Sequence, residues 1–176
     1  MKEKLFKKNL IHKGRAVDFY CDEIVLPNNH HSFREYLGHP GAAAVLPFLD
    51  KKTIVLVKQY RYPVKQATLE LPAGKLEKGE SPVKGVKREL KEETGYSAKK
   101  IEKLIQFYPS TAFSNELLHI FAATDLVCGK TNPDEDEFVA NEILDFDEAV
   151  KMVYNGKIMD AKTIIALLLW ANKNKK

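Results

Sequence analysis

The sequence has little of what a secreted, fibrous or membrane-spanning protein needs. Its 176 residues include two cysteines, too few for a disulfide framework or a four-cysteine zinc site. Nine glycines and eight prolines are too few for a collagen-like or low-complexity chain. The most apolar stretch, 164–171, is far shorter than the ~20 residues that span a bilayer. We therefore expect a soluble, cytoplasmic protein without a membrane partner.

The charge balance is also mild. The chain carries 28 basic and 24 acidic residues, a net charge of +4, which does not indicate a nucleic-acid-binding surface. Its composition, 44% hydrophobic and 30% charged, is typical of a globular protein, and this length suggests one domain.

The first half of the chain reads mainly as strands. Residues 15–26 and 31–37 flank a turn at Pro27 and predict a hairpin. The apolar runs 42–49 and 53–60 fit buried strands, although periodicity does not separate a buried strand from a buried helix. Further strands are predicted over 101–107, over 117–126 and in a short segment ending at Leu144.

A helix is predicted between Ser81 and Gly95. Ser81 is a good N-cap, Pro82 suits the first helical position, and Gly95 suits the position after the last turn. Val83, Val86 and Leu90 form an apolar stripe at helical spacing. Two more helices are expected over about 147–155 and 160–172. Strands and then helices, with one helix inserted, predict a mixed α/β sandwich.

The inserted helix is acidic on one side. Glu89 and Glu93 lie one turn apart on the same face, and Glu92 joins that side. Such carboxylates repel one another, and a bound cation removes that cost. Oxygen ligands without His or Cys favour Mg²⁺ or Mn²⁺ over zinc. The alternative is an ordinary Lys-Glu-rich helix exposed to solvent.

The spacing of the whole segment 74–96 argues against that alternative. It reads Gly, five residues, Glu, seven residues, Arg-Glu-Leu, one residue, Glu-Glu, one residue, Gly. Even when only seven of these fixed residues are counted, each at about 7% usage, chance gives the pattern roughly once in 10⁸ starting positions. The segment resembles the signature of the Nudix hydrolases, and only Tyr96 departs, standing where that signature has an aliphatic residue.

The resemblance implies a fold, a domain division and a metal site. The fold would be an α/β/α sandwich with a mixed sheet and an N-terminal β-hairpin. Residues 1–40 would pair two subunits in a homodimer, and 41–176 would form the hydrolase domain. Glu89, Glu93 and the Ala73 carbonyl would bind Mg²⁺ (or Mn²⁺). The supporting roles would fall to Arg88, which orients carboxylates, to Glu92 nearby, to Glu80 further out, and to Gly74 and Gly95, which permit backbone turns.

Divalent cations on carboxylates neutralise a phosphate anhydride and lower the pKa of an attacking water. The resemblance therefore implies hydrolysis of a nucleoside diphosphate linked to another moiety. An acidic loop, 134–137, reads by composition as a solvated run of charges. In the ADP-ribose pyrophosphatase branch of the family, however, a similar loop supplies a base and a further ligand. Carried over, Glu135 would be the base, and Glu137 would act beside it as an additional metal ligand.

Other segments resemble the same branch. Arg61, otherwise an exposed charge at a strand end, would grip the pyrophosphate. In the substrate loop 107–116, Ser110 and Glu116 would contact substrate, Glu116 at a ribose hydroxyl. Phe19, Tyr20 and Arg34 of the hairpin would contact the adenine, although the two aromatic residues also fit plain strand packing.

The substrate loop departs from the branch, which carries Ser-Pro-Gly where this sequence has Ser110-Thr111-Ala112. The first hypothesis is hydrolysis of ADP-ribose to AMP and ribose 5-phosphate. The second is the same chemistry on another nucleotide sugar, a GDP- or UDP-sugar. The third is a non-catalytic module that senses a nucleotide.

Overall fold

The computed structural model describes residues 2–131 and 138–173. Within these ranges the chain divides into two compact units, one made of the residues up to Gly41 with Phe107–Leu117, the other of Ala42–Gln106 with the chain from Leu118 onward. No helix in the described ranges is long and apolar enough to cross a membrane. The strands are β1 (Lys4–Lys7), β2 (Leu10–His12), β3 (Asp18–Val25), β4 (His31–Gly38), β5 (Ala42–Pro47), β6 (Thr53–Arg61), β7 (Gln66–Glu70), β8 (Ala73–Lys75), β9 (Tyr96–Phe107), β10 (Leu118–Cys128) and β11 (Val139–Asp145). The helices are α1 (Pro82–Thr94), α2 (Phe146–Tyr154) and α3 (Ala161–Lys173).

The first unit contains a four-stranded antiparallel sheet around β3. Strands β3 and β4 pair along their whole length, from Asp18 opposite Gly38 to Val25 opposite His31, which confirms the predicted hairpin. Strands β1 and β2 also pair with β3, and the sequence did not predict either of them. Each is only three or four residues long, too short for a pattern of alternating side chains to be recognised.

The second unit has a mixed sheet, ordered β8-β5-β10-β9, and an antiparallel sheet, ordered β11-β6-β7. Strand β5 is buried along its whole length and pairs parallel with β10 and antiparallel with β8. Ala43 and Val45 pack in one cluster with Val86 and Leu90 of α1. The alternate residues of β5 face the other way, and α3 also contacts β5. Helices on both faces explain the unbroken apolar run, and they confirm the mixed α/β sandwich.

Helix α1 begins and ends where the sequence predicts. Ser81 Oγ accepts a hydrogen bond from the Lys84 N–H at 3.4 Å, and Gly95 adopts a left-handed conformation with φ of 77°. The apolar stripe is buried only in part. Val86 and Leu90 are fully buried, whereas Val83, in the first turn, is 45% exposed.

The two valines of α1 offer a matched test of this packing. Val86→Ala should lower the free energy of unfolding by about 2 kcal/mol, because it removes buried methyl groups and leaves a cavity. Val83→Ala makes the same chemical change at an exposed position and should stay within about 0.5 kcal/mol of the parent. Urea denaturation measures both, and equal losses would contradict this account of the core.

Candidate active site

The centre of the site is a pair of buried carboxylates on α1. Glu89 is 7% exposed and Glu93 is 4% exposed, and the two lie one helical turn apart. The Ala73 N–H, on the neighbouring strand β8, donates a hydrogen bond to Glu93 Oε2 at 3.1 Å. Two buried carboxylates on one helix face are costly unless cations compensate them.

Gly74 makes room for one of these carboxylates. A Cβ atom on Gly74 would lie 1.9 Å from Glu89 Oε1, so any other residue would displace that side chain. Gly74 lies in β8 and is not among the glycines with positive φ, so its predicted role in a backbone turn is wrong. Gly95 does adopt the left-handed conformation of the predicted turn.

Arg88 is surrounded by acceptors. Its Nη1 donates to Glu89 Oε1 at 2.7 Å and to Glu92 Oε2 at 2.9 Å. Its Nε and Nη2 donate to the two oxygens of Glu80 at 3.2 and 3.1 Å, and Nη2 also donates to the Lys75 carbonyl at 3.0 Å. All five N–H groups of the guanidinium therefore have an acceptor. The predicted orienting role of Arg88 agrees with this geometry.

These contacts shift the pKa values of Arg88 and Glu80 in opposite directions. The hydrogen bond to Glu80, with the charge of Glu89, raises the pKa of Arg88 above its usual value. The hydrogen bond from Arg88 lowers the pKa of Glu80 in turn, with help from the Glu77 N–H. Arg88 thus stays charged beside the carboxylates, which keeps Glu80 ionised as well.

A metal ion would find a set of oxygen donors here. Glu89 and Glu93 present carboxylates beside the backbone of Ala73, while Glu92 is turned toward Arg88 and is 33% exposed. Across 2–131 and 138–173, no three His, Cys, Asp or Glu side chains are grouped closely enough to hold a metal ion. The predicted base Glu135 and ligand Glu137 lie outside the described residues.

A second ionic network surrounds Glu70, at the end of β7. Glu70 is 2% exposed, and its two oxygens accept hydrogen bonds from Arg61 Nε at 2.8 Å and Nη2 at 2.7 Å. Thr68 Oγ1 donates to Glu70 Oε1 at 2.6 Å, and the ammonium group of Lys162 binds the other oxygen. Lys162 also contacts Asp160, which caps α3 through the Thr163 N–H.

In this network the two cations have a larger effect on the pKa of Glu70 than its burial has. Burial by itself raises the pKa of Glu70, but the hydrogen bond from Arg61 and the charge of Lys162 lower it to about 2. The pKa of Arg61 is raised, mainly by its hydrogen bond to Glu70 and further by the charges of Asp160 and Glu93. The predicted role of Arg61 at the pyrophosphate stays a prediction.

Glu70 and Lys162 were not predicted from the sequence as residues of the site. A signal for Glu70 was present, because Thr68 and Glu70 alternate with apolar residues in β7 and so lie on one face of that strand. Lys162 left no such signal. It is a lone lysine in the first turn of an apolar helix, and only the fold brings it to Glu70.

The remaining predicted residues lie in the first unit. The guanidinium of Arg34 is paired with Glu3 and donates to the Phe33 carbonyl at 2.9 Å. Tyr20 stacks on Tyr36 with ring centroids 5.1 Å apart, while its neighbour Phe19 is half-buried in β3. These contacts agree with the strand-packing interpretation of the two aromatic residues and do not test a role in binding.

The predicted substrate loop is attached to the sheet of the first unit. The Leu37 N–H donates to the Phe113 carbonyl at 2.9 Å, and Asn115 Oδ1 accepts from the His39 N–H at 2.7 Å. Within this segment, Ser110 and Glu116 are both partly buried.

The signature and the fold have counterparts among known proteins. An ADP-ribose pyrophosphatase of Bacillus subtilis (strain 168) is 44% identical over 169 residues, covering 95% of this chain and 91% of that protein. A methanol dehydrogenase activator of Bacillus methanolicus is 44% identical over 168 residues, covering 94% and 90%. The crystal structure of an ADP compounds hydrolase has the same fold, with a TM-score of 0.87, 20% identity, and coverage of 99% of this chain and 95% of that one. Residues 38–167 match the model of the NUDIX domain. With most of the chain matched in this way and Glu89, Glu92 and Glu93 of the signature gathered on α1, the chain belongs to the Nudix family.

Proposed function

We propose that this protein is a metal-dependent pyrophosphatase that hydrolyses ADP-ribose to AMP and ribose 5-phosphate. The observation that carries the proposal is the buried pair Glu89 and Glu93, of which Glu89 is held by the Arg88 guanidinium and Glu93 by the Ala73 N–H. The 44% identity to an ADP-ribose pyrophosphatase over nearly the whole chain supports the choice of substrate.

The proposed metal is Mg²⁺ or Mn²⁺, held by Glu89, Glu93 and the Ala73 carbonyl. The donor set fits such an ion, because the buried side chains at this point offer carboxylate oxygens, which hard cations prefer. When bound, the cation neutralises the bridging phosphate oxygens and lowers the pKa of the attacking water.

The chain's own residues then have separate roles. Arg88 holds the carboxylates of Glu89 and Glu92 in place through one oxygen of each, which leaves the other oxygen of Glu89 and the carboxylate of Glu93 for the metal. Arg61 binds the pyrophosphate through the N–H groups that Glu70 does not use. We assign Glu135 as the base that takes the proton of the water, with Glu137 as a further catalytic carboxylate and metal ligand, on the resemblance of this acidic loop.

The other substrate contacts are assigned from the sequence resemblance. Glu116 is proposed to bind a ribose hydroxyl and Ser110 to contact the substrate, while Phe19, Tyr20 and Arg34 are proposed to contact the adenine. This assignment rests on the resemblance to the ADP-ribose pyrophosphatase branch.

One part of the loop favours a second candidate substrate. Thr111 and Ala112 stand where that branch has Pro-Gly, and without the proline the loop backbone is less restricted. The methanol dehydrogenase activator is as similar as the ADP-ribose pyrophosphatase, so identity alone does not select the substrate. The same chemistry on a GDP- or UDP-sugar is the second candidate, and nucleotide sensing without catalysis is the third.

Product analysis separates these candidates. The purified protein is incubated with ADP-ribose, GDP-mannose or a UDP-sugar, each with Mg²⁺, with Mn²⁺ and with EDTA. We expect metal-dependent release of AMP and ribose 5-phosphate, with kcat/KM highest for ADP-ribose. Faster cleavage of another nucleotide sugar would keep the metal site and transfer the specificity assignment to Thr111 and Ala112. Binding without cleavage of any compound would favour the sensing module.

Glu93→Gln tests the metal assignment. The substitution keeps the shape of the side chain but removes one charge from the carboxylate pair, so turnover should fall by a factor of about 10² or more. Glu148→Gln is the control, because Glu148 is 60% exposed on α2 and pairs with Lys151. Both variants should keep the circular dichroism of the parent. Parent-like turnover in Glu93→Gln would remove Glu93 from the metal site.

We also propose that residues 1–40 pair two copies of the chain in the cytoplasm. Large apolar side chains are exposed in this segment, including Leu5 at 60%, Phe6 at 61% and Phe33 at 59%, and symmetric dimers are the commonest oligomers. The two free cysteines are in keeping with a reducing compartment. Sedimentation velocity should give twice the chain mass of 20.0 kDa, and Phe33→Asp should shift it toward one chain. A single chain mass for the parent at micromolar concentration would refute the dimer.

A further inference from the structure

The guanidinium of Arg61 is bound along one edge only. Its Nε and one N–H of Nη2 donate to Glu70, whereas Nη1 donates no hydrogen bond to any described residue. The side chain of Arg61 is 43% exposed, in contrast to the 3% of Glu70. One edge of the fork is therefore fixed inside the protein, and the other edge keeps donors for an external acceptor.

The carboxylate that binds Arg61 is itself held from several sides. Thr68 donates to Glu70 Oε1 at 2.6 Å, and Lys162, whose side chain is 13% exposed, binds Oε2. Lys162 also contacts Asp160 Oδ1 at 3.0 Å. Charges therefore alternate from Arg61 through Glu70 and Lys162 to Asp160. Each buried charge has an opposite neighbour, and Glu70 has little freedom to move.

The two cations that contact Glu70 differ in exposure and in geometry. Lys162 is 13% exposed and is shared between Glu70 and Asp160, whereas Arg61 is 43% exposed and contacts both oxygens of Glu70. Arg61 is therefore the cation of this network that is open to an external ligand. A two-point contact with a buried carboxylate fixes the plane of a guanidinium, whereas a contact at one point does not.

We infer that Glu70 is a positioning residue, which fixes the Arg61 guanidinium so that its Nη1 edge is presented to the pyrophosphate of the substrate. The inference rests on the proposed function, because it takes a nucleoside diphosphate as the ligand of Arg61. Glu70 acts through Arg61 and does not touch the reacting atoms.

A double-mutant cycle tests this inference. Glu70→Gln keeps the shape of the side chain, but its amide presents only one oxygen to the two N–H groups of Arg61. We expect KM for ADP-ribose to rise about 10- to 100-fold in both Arg61→Ala and Glu70→Gln, with a much smaller change in kcat, because a charge-assisted hydrogen bond to the substrate is lost. The double variant should be no worse than Arg61→Ala alone, since Glu70 acts through that residue. Effects that multiply in the double variant would overturn the inference.

Two readouts separate positioning from other roles. The Mg²⁺ concentration for half-maximal activity should stay unchanged in Glu70→Gln, because the carboxylates of α1 are untouched. The pH profile of kcat between about pH 5 and 9 should also keep its shape, because Glu70, with a pKa of about 2, is ionised throughout that range. A loss of one limb of the profile would make Glu70 an acid or base and overturn the positioning role.

Thr68→Val covers the case in which Glu70→Gln does not fold. It removes one hydrogen bond to Glu70 without changing any charge, and KM should rise about twofold to tenfold. Glu102→Gln is the matched control, because Glu102 is 58% exposed on β9 and pairs only with Lys173 among the described contacts. An unchanged KM in Thr68→Val, together with an unchanged KM in any folded Glu70→Gln, would overturn the inference.

The binding of an uncleavable analogue keeps the two proposals distinguishable. Calorimetry with an ADP-ribose analogue carrying a methylene group between the phosphorus atoms measures Arg61-dependent binding without turnover. If the parent binds this analogue but cleaves no nucleotide, the proposed function fails. The double-mutant cycle then compares the Kd of the analogue, in place of KM, among the same variants. If the parent cleaves ADP-ribose and Glu70→Gln binds the analogue as tightly as the parent does, only the positioning role fails.

Discussion

The site depends on how the protein tolerates two negative charges on the buried face of one helix. Glu89 and Glu93 repel each other at this spacing, and burial removes the water that would screen them. The positive charge of Arg88 offsets part of this repulsion. Its guanidinium is held in one position, because neighbouring groups accept hydrogen bonds from all five of its N–H groups. Gly74 supplies the space, since no side chain fits between β8 and the Glu89 carboxylate. The spacing of the signature therefore follows from the packing of one helix against one strand.

The two arginines of the second unit differ in how many of their hydrogen-bond donors are already used within the protein. This number separates a structural role from a binding role. Arg88 has no donor left, so it cannot bind a ligand without giving up an existing contact. Arg61 donates to Glu70 along one edge of its guanidinium, from Nε and Nη2, and its Nη1 donates to no described residue. Neighbouring carboxylates raise the pKa of both arginines, so the two do not differ in charge. What distinguishes them is the number of acceptors that the fold brings to each guanidinium.

Several elements of the fold could be predicted from short segments of the sequence. The cap at Ser81 and the left-handed Gly95 mark the ends of α1 in the sequence, and both hold in the structure. The hairpin of β3 and β4 was also readable, because a turn at Pro27 separates two extended segments. The runs 42–49 and 53–60 were ambiguous between strand and helix, since an element covered on both faces has no polar side to reveal its period. Strands β7 and β8 were not predicted, because they are short and acquire their pairing from β6 and β5.

The sequence by itself determined the acidic helix, its caps, the oxygen-only donor set and the family, because each of these depends on residues within one short segment. Only the tertiary structure decided which side chains meet across the chain. Glu70 and Lys162 are 92 residues apart, and no local pattern records that they form an ion pair. Val83 lies in the same stripe as Val86 and is exposed, because helical spacing alone does not decide which turns of a helix other elements cover. Gly74 looked like a turn residue and proved to be a space for Glu89, since a close approach between two elements exists only once both are packed.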